Sequence, residues 1–243
     1  MTRPEWVQVG ATLFLGSIAI FGPYFAERFR NRFLAPRLHV EFKNEPPYCH
    51  PTRWVSRSRS SDVDASYLAF YFTFSIENQG KSQARSCEVV LYEVWTADEN
   101  DEYRQVEDFS PTNLTLNNKL FVNMNPGRPP VHVAIGHISE PEYQEKFEPS
   151  CWIAADRSDY KRFILDYAPD QRYFWKIDSR PAGRHLFKLA IVGENFKPVR
   201  KQIELHWTGK WTEDTGGMLT KEAVLSMKDE PGDRPTSASK TAR

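Results

Sequence analysis

The sequence predicts an all-β protein in which an antiparallel β-sandwich follows one membrane-spanning helix at the N-terminus. Two observations carry this prediction. One apolar run near the N-terminus is long enough for a bilayer crossing, and the chain after it holds many short alternating segments separated by proline and glycine. After Pro36, no segment shows convincing helical periodicity, so strands are expected to build the domain.

The apolar run covers residues 6–26, about 21 positions without a charge, and a helix needs about 20 residues to cross the hydrocarbon core. Trp6 and Tyr24 lie near its two ends, where interfacial aromatic residues are common. Two alternatives stay open. A buried core helix is disfavoured by the glycines of the run and by the lack of a polar stripe. A cleaved signal peptide is disfavoured because no small-x-small site follows the run.

Basic residues set the predicted orientation. Arg28, Arg30, Arg32 and Arg37 follow the run, whereas Arg3 and the terminal amine precede it. The positive-inside rule therefore predicts a single-pass protein of the cell inner membrane with its C-terminal domain in the cytoplasm. The lipid bilayer is the first expected partner, because the same arginines can rest on anionic headgroups.

Composition bounds the rest of the chain, which has 243 residues, 26% of them charged, and a formal net charge of zero. Zero net charge predicts no nucleic-acid partner. We expect five parts: an N-terminal flank at 1–5, the helix at 6–26, a basic juxtamembrane segment at 27–36, the sandwich at 37–227 and a disordered tail at 228–243.

Period-2 alternation predicts the strands. Residues 67–78 place Leu68, Phe70, Phe72, Phe74 and Ile76 on one face and more polar side chains on the other. Residues 86–96 repeat this pattern after a turn at 79–83. Further strands are predicted at 37–43, 115–122, 131–138, 162–167, 173–177, 185–194 and 199–207, with a loop at 56–66. Uneven strand lengths favour a sandwich over a closed barrel.

Residues 75–84 resemble the turn of bacterial immunoglobulin-like sandwich domains of the CARDB type, with Ile76, Asn78, Gly80 and Ala84 in the matching places. The resemblance implies that a strand ends at Asn78, that Gly80 makes a left-handed turn and that Ala84 starts the next strand against the core. An anchor followed by a sandwich also resembles uncharacterised bacterial single-pass membrane proteins. This likeness implies neither an enzyme nor a known ligand, and it does not extend beyond Ala97.

The sequence shows no nucleophile elbow, zinc-protease, P-loop or dinucleotide-binding motif, so no catalytic activity, cofactor or metal is expected. His132 and His137 form the closest histidine pair. Their odd separation places them on opposite faces of a continuous strand, unless a bulge intervenes.

Cysteine and tryptophan placement gives two further expectations. Three widely spaced cysteines, Cys49, Cys87 and Cys151, favour free thiols in a reducing compartment over a disulfide framework. Most tryptophans are expected in the core, and Trp207 and Trp211 are the predicted surface pair.

The expected function is that of a membrane-anchored cytoplasmic binding or assembly module, which recruits an unidentified protein through a sheet edge or a loop face. Thr12 and Gly16 form a small-xxx-small pair that can bring two anchors together in a homo-oligomer. The alternative is an extracytoplasmic, anchored adhesion or ligand-binding sandwich, which predicts exposed tryptophans and oxidised cysteines.

Overall fold

The computed structural model describes residues 19–26, 34–57, 64–107, 109–117, 119–141, 163–165 and 179–230. Residues 19–26 are helical and expose Ile20, Phe21, Tyr24 and Phe25. Among the helices of these ranges, none combines the length and the apolarity that a bilayer crossing requires. The rest of the predicted span lies outside the described residues, as does the juxtamembrane segment up to position 33.

The described part of the domain is built almost wholly from strands, which confirms the all-β prediction. In chain order they are β1 (Leu38–Glu41), β2 (Cys49–Arg57), β3 (Asp64–Asn78), β4 (Ala84–Ala97), β5 (Tyr103–Gln105), β6 (Thr112–Leu114), β7 (Val122–Met124), β8 (Val131–Ser139), β9 (Phe163–Leu165), β10 (Ser179–Arg180), β11 (Gly183–Val192), β12 (Val199–Trp207) and β13 (Ala223–Asp229). A helical turn at Thr215–Gly217 and a π-helical turn at Met218–Glu222 precede β13.

These strands form two antiparallel sheets. In the first sheet β3 is the central strand, with β8, β9 and β10 following on one side. β1 and β2 share its other side, because β1 pairs with the C-terminal part of β3 and β2 with the N-terminal part. The second sheet has the order β13-β12-β11-β4-β5, and β6 and β7 also pair with β4.

The core lies between the two sheets and contains residues from both. Alternate residues of β3, from Leu68 to Ile76, point into it as their pattern predicts. The Phe163 ring joins the layers, because its centroid lies 5.7 Å from Phe72 of the first sheet and 5.8 Å from Phe187 of the second. Two packed antiparallel sheets around one apolar cluster confirm the sandwich architecture.

Several strand predictions need correction. The segment predicted as one strand at 115–122 is instead flanked by the three-residue strands β6 and β7. β2, β5, β10 and β13 were not predicted. β2 extends into the expected loop at 56–66 and contains Pro51, which a strand tolerates at an edge. β13 reaches Asp229, so the sandwich runs into the expected tail, whose remaining residues after position 230 are not described.

Candidate interaction surfaces

The turn after β3 is fastened by the buried side chain of Asn78. Its amide Nδ2 donates to the carbonyl oxygens of Ser82 at 2.7 Å and Met124 at 2.9 Å. Its Oδ1 accepts from the backbone N–H of Gly80 at 3.0 Å and of Arg37 at 3.2 Å. One side chain therefore joins the turn, the end of β7 and the segment that leads into β1.

Gly80 is required at this turn, but the expected reason is wrong. The φ angle of Gly80 is not positive, whereas those of Gly127, Gly183 and Gly209 are. A Cβ on Gly80 would lie 2.5 Å from the carbonyl oxygen of Ala35 and 2.5 Å from the amide nitrogen of Arg37. Close approach of the N-terminal segment, rather than a left-handed turn, therefore excludes a side chain here. Ala84 starts β4 and is fully buried.

Other asparagine side chains among the described residues link the neighbouring loops. Asn195 accepts from the Arg85 amide at 3.0 Å and donates to the Gln83 carbonyl at 2.8 Å. Asn123 accepts from the Ser86 amide at 2.9 Å, and Asn125 accepts from Gln83 Nε2 at 2.8 Å. We call this region the junction end: segment 35–37, turn 79–83, residue 85 and the loops at 125–130 and 193–198.

The outer face of the second sheet carries a network of aromatic and charged side chains. Glu204 of β12 accepts from Arg184 Nη2 at 2.6 Å and from the Tyr103 hydroxyl at 2.7 Å. The Arg184 guanidinium lies 5.5 Å from the Tyr103 ring centroid. Three strands thus contribute to one cluster that combines an ion pair with a cation–π contact.

A second cluster continues the same face toward the junction end. Lys188 Nζ lies 2.8 Å from Glu93 Oε2 and 4.9 Å from the centroid of the Trp95 ring. Trp95 Nε1 donates to the same Glu93 oxygen at 2.9 Å, and the Tyr92 hydroxyl donates to Glu230 at 2.6 Å. We call the two clusters together the aromatic–charged face: residues 92, 93, 95, 103, 184, 188, 204 and 230. Sequence reasoning missed this face, because β11 contributes only two charged residues to it, Arg184 and Lys188, and the other members come from separate segments.

These contacts shift the ionisation of the network in a consistent direction. Hydrogen bonds from Arg184 and Tyr103 lower the pKa of Glu204, and a hydrogen bond from Lys188 lowers the pKa of Glu93. Burial, together with the bond to Glu204, raises the pKa of Tyr103 to about 12. At neutral pH Glu93 and Glu204 are therefore charged and the Tyr103 hydroxyl is a neutral donor, so these contacts hold the face in one arrangement.

The outer face of the first sheet carries histidines. Ile135 is an extra residue in β8, because Thr73 pairs with Ala134 while Phe72 pairs with Gly136. This bulge changes the alternation of side chains, so His132 and His137 lie on the same face. It is the bulge that the prediction of opposite faces named as its exception. The Tyr71 ring stacks between His137 at 4.9 Å and His50 at 6.2 Å, and His132 packs near Tyr48.

These histidines do not assemble a metal site. Across the described ranges, no group of three or more histidine, cysteine, aspartate or glutamate side chains is placed to hold a metal ion. His185 lies in the core, where its Nε2 is 2.9 Å from the Pro181 carbonyl oxygen.

The predicted tryptophan surface pair is wrong. Trp207 is only 1% exposed, and the Trp211 ring packs on Phe70 with a centroid distance of 5.4 Å. Of the cysteines, Cys49 and Cys87 are free and buried, and burial raises the pKa values of their thiols to about 12 and about 11. Cys87 is thus core filler, as its pattern predicts, and Cys151 lies outside the described residues.

Of the residues predicted to anchor and orient the chain in the membrane, the structure describes Tyr24 and Arg37. Tyr24 is exposed among the helical residues 19–26, with its ring 5.9 Å from that of Phe25. Arg37 is exposed at the start of the domain and bonded to Asn78 through its backbone. The remaining anchor residues, Trp6, Thr12, Gly16, Arg28, Arg30 and Arg32, lie outside the described residues.

Comparisons of the chain with protein-family models, with curated proteins and with solved structures find no match.

Proposed function

We propose that this protein is a membrane-anchored binding module with an immunoglobulin-like sandwich, in which residues 6–26 span the inner membrane and the sandwich recruits a protein partner in the cytoplasm. The observation that carries the recruitment role is the aromatic–charged face. Tyrosine, tryptophan and arginine are the residues that dominate protein–protein binding energy, and here they meet on one sheet surface.

The contacts of this face support a binding role because they fix its side chains before a partner arrives. Arg184 is held by Glu204 and Tyr103, and Lys188 by Glu93 and Trp95. Immobilising a flexible side chain on binding costs about 0.5–1.5 kcal/mol. Because these side chains are already ordered in the folded domain, much of that loss of entropy does not oppose binding. The face carries both signs of charge, two cations and three carboxylates, so the partner it fits has mixed rather than uniform charge.

The anchor role is supported by the apolar run and by the way the domain begins. Segment 35–37 packs against Gly80 and bonds to Asn78, so the start of the domain is fixed to the sandwich at this point. Free Cys49 and Cys87 agree with a reducing compartment, and the burial of Trp207 disfavours the alternative of an extracytoplasmic sandwich that displays its tryptophans.

Topology is tested by fusing a phosphatase that is active only outside the cytoplasm after Arg243. An inactive fusion and a fluorescent green fluorescent protein fusion at the same site are expected. An active phosphatase would overturn the cytoplasmic placement and favour the extracytoplasmic alternative.

Recruitment is tested by cross-linking the full chain in native membranes and identifying the captured proteins. Arg184→Gln and Tyr103→Phe should reduce the capture of a specific partner, whereas Arg53→Gln, on the other sheet, should not. Equal capture by all three variants would show that the aromatic–charged face is not the recruitment surface.

A further inference from the structure

The junction end carries a surplus of exposed positive charge. Arg37, Lys81, Arg85, Arg128 and Lys197 are all exposed there. None of these five forms an ion pair with another described residue, in contrast to Arg184 and Lys188 of the aromatic–charged face, which are both paired. Their charges are therefore available to a partner outside the domain.

Acidic side chains are fewer: Glu194 lies within the junction end and Glu77 next to it, and each accepts a hydrogen bond from a neutral donor. Ser86 Oγ donates to Glu194 at 2.7 Å, and Gln79 Nε2 donates to Glu77 at 3.0 Å. The loop at 125–130 holds Arg128 between prolines, and every one of its residues is exposed. This loop therefore projects the Arg128 cation from the end of the sandwich.

The far end of the sandwich, formed by residues 98–102 and 208–214, has the opposite charge. Exposed or half-buried carboxylates concentrate there: Asp98, Glu99, Asp101, Glu102, Glu213 and Asp214. Asp98 and Asp101 pair with Arg104 and Arg184, and the others form no ion pair with a described residue. A chain of zero net charge thus has a positive junction end and a negative far end.

The connection to the predicted span places the positive end next to the bilayer. Ala35 packs against Gly80, and about nine residues separate it from Ala26. Nine residues reach roughly 14 Å as a helix and at most about 30 Å when extended. The junction end is therefore tethered within a short distance of the headgroups, where anionic lipids attract basic residues.

We propose that the junction end docks on the anionic headgroups of the membrane through Arg37, Lys81, Arg85, Arg128 and Lys197, with the acidic far end turned away from the bilayer. This inference rests on the proposed membrane anchor. It adds a second lipid contact to Arg28, Arg30 and Arg32, and it fixes which end of the sandwich meets the membrane. The aromatic–charged face would then stand beside the bilayer, where a cytoplasmic partner can reach it.

The test uses the full chain, carrying Cys151→Ser, in nanodiscs that contain a nitroxide-labelled headgroup lipid. A fluorophore is attached through Pro129→Cys in the exposed loop at 125–130, because Cys49 and Cys87 are buried. Quenching by the nitroxide is compared between discs of phosphatidylcholine alone and discs with about one third phosphatidylserine. We expect stronger quenching in the anionic discs, and its loss at about 1 M salt, where the Debye length falls to about 3 Å.

Charge variants identify the residues responsible. Lys81→Gln, Arg128→Gln and Lys197→Gln combined should lower the ratio of docked to undocked sandwich on the order of 100-fold, because each basic residue near such a surface contributes about fivefold. The matched control combines Arg53→Gln, Lys210→Gln and Lys221→Gln, which removes three exposed charges away from the junction end. This control should leave the quenching in anionic discs unchanged.

The outcomes separate docking from anchoring. Insertion is checked first by resistance to alkaline carbonate extraction, and an extracted chain would overturn the proposed anchor. An inserted chain with equal quenching in both kinds of disc, or with quenching unaffected by the junction-end variant, overturns docking and leaves the anchor in place. Quenching that appears only when two chains share a disc would assign the junction end to a contact between copies and would also overturn lipid docking.

Discussion

Replacing Asn78 by alanine is the sharpest perturbation of the junction end. The substitution removes a side chain that is 2% exposed and makes four hydrogen bonds, two as donor and two as acceptor. Its partners belong to three separate parts of the chain, so no local rearrangement can replace all four bonds. We expect the turn after β3, the end of β7 and the N-terminal segment to lose the hydrogen bonds that hold them together.

The size of the effect follows from which partners water can reach. The Gly80, Ser82 and Arg37 groups are partly exposed and can bind water, so each lost bond there costs about 0.5–1 kcal/mol. The Met124 carbonyl oxygen is buried, and leaving such a group without a partner costs about 1–3 kcal/mol. Together these terms predict that Asn78→Ala lowers the free energy of unfolding by about 2.5–6 kcal/mol.

The assay is urea unfolding of the full chain in detergent, followed by tryptophan fluorescence. Asn125→Ala is the matched control, because Asn125 is exposed at the same end and accepts one side-chain bond; its expected cost is about 0.5 kcal/mol or less. A loss below about 1 kcal/mol for Asn78→Ala, or a loss equal to that of the control, would refute the reasoning.

Asn78→Asp separates the donor from the acceptor bonds. The second carboxylate oxygen would face the Ser82 and Met124 carbonyl oxygens, so the charged form is disfavoured and the folded pKa rises above about 3.9. The penalty is therefore greatest at neutral pH and is relieved as pH falls through the raised pKa. A penalty that does not change with pH would contradict this account.

Three further perturbations test the rest of the molecule. Gly136→Ala should cost about 1–3 kcal/mol in urea unfolding, because its Cβ would lie 2.3 Å from a carbonyl oxygen of β9, whereas Gly216→Ala, whose Cβ would meet nothing nearer than the Asp214 carboxylate at 3.8 Å, should cost less than half as much. The lowered pKa of Glu204 makes its contribution fully present above about pH 4.5 and lost as pH falls through the folded pKa, so Glu204→Gln should flatten the acid limb of the stability profile; an unchanged limb would contradict this. Burial of Cys49 and Cys87 should make both thiols unreactive toward Ellman's reagent at about pH 8 until the protein is unfolded, and rapid labelling of the native state would be the contrary result.

Long strands with regular alternation could be predicted from the sequence. β3, β8, β11 and β12 coincide closely with their predicted ranges because each buries one face in the core, and that burial requires an apolar residue at every second position. β5 and β10 are too short to show a pattern. β13 was missed because it forms as an edge strand by pairing with β12. The sequence of β13 alone does not indicate that pairing.

Histidine placement shows how one residue can reverse a prediction from periodicity. An odd separation puts His132 and His137 on opposite faces of a regular strand. The extra Ile135 restores them to one face, and its own side chain enters the core. The sequence contains Gly136 at this point, which is typical of a bulge, but the need for it comes from the close approach of the β9 backbone.

The junction end could be anticipated only in part, for a reason that lies in asparagine itself. One asparagine side chain offers both donors and an acceptor, so it can satisfy an N–H of one loop and a C=O of another. Asn78 and Asn195 do this with partners that lie up to 112 positions away in the sequence. Contacts between such distant residues produce no periodic pattern that could be recognised in the sequence. The turn motif marks Asn78 and Gly80 as special, yet both are explained by the N-terminal segment that packs against them. Because Asn78 bonds to Arg37 as well as to its own turn, the placement of segment 35–37 on the sandwich is part of what this fold specifies.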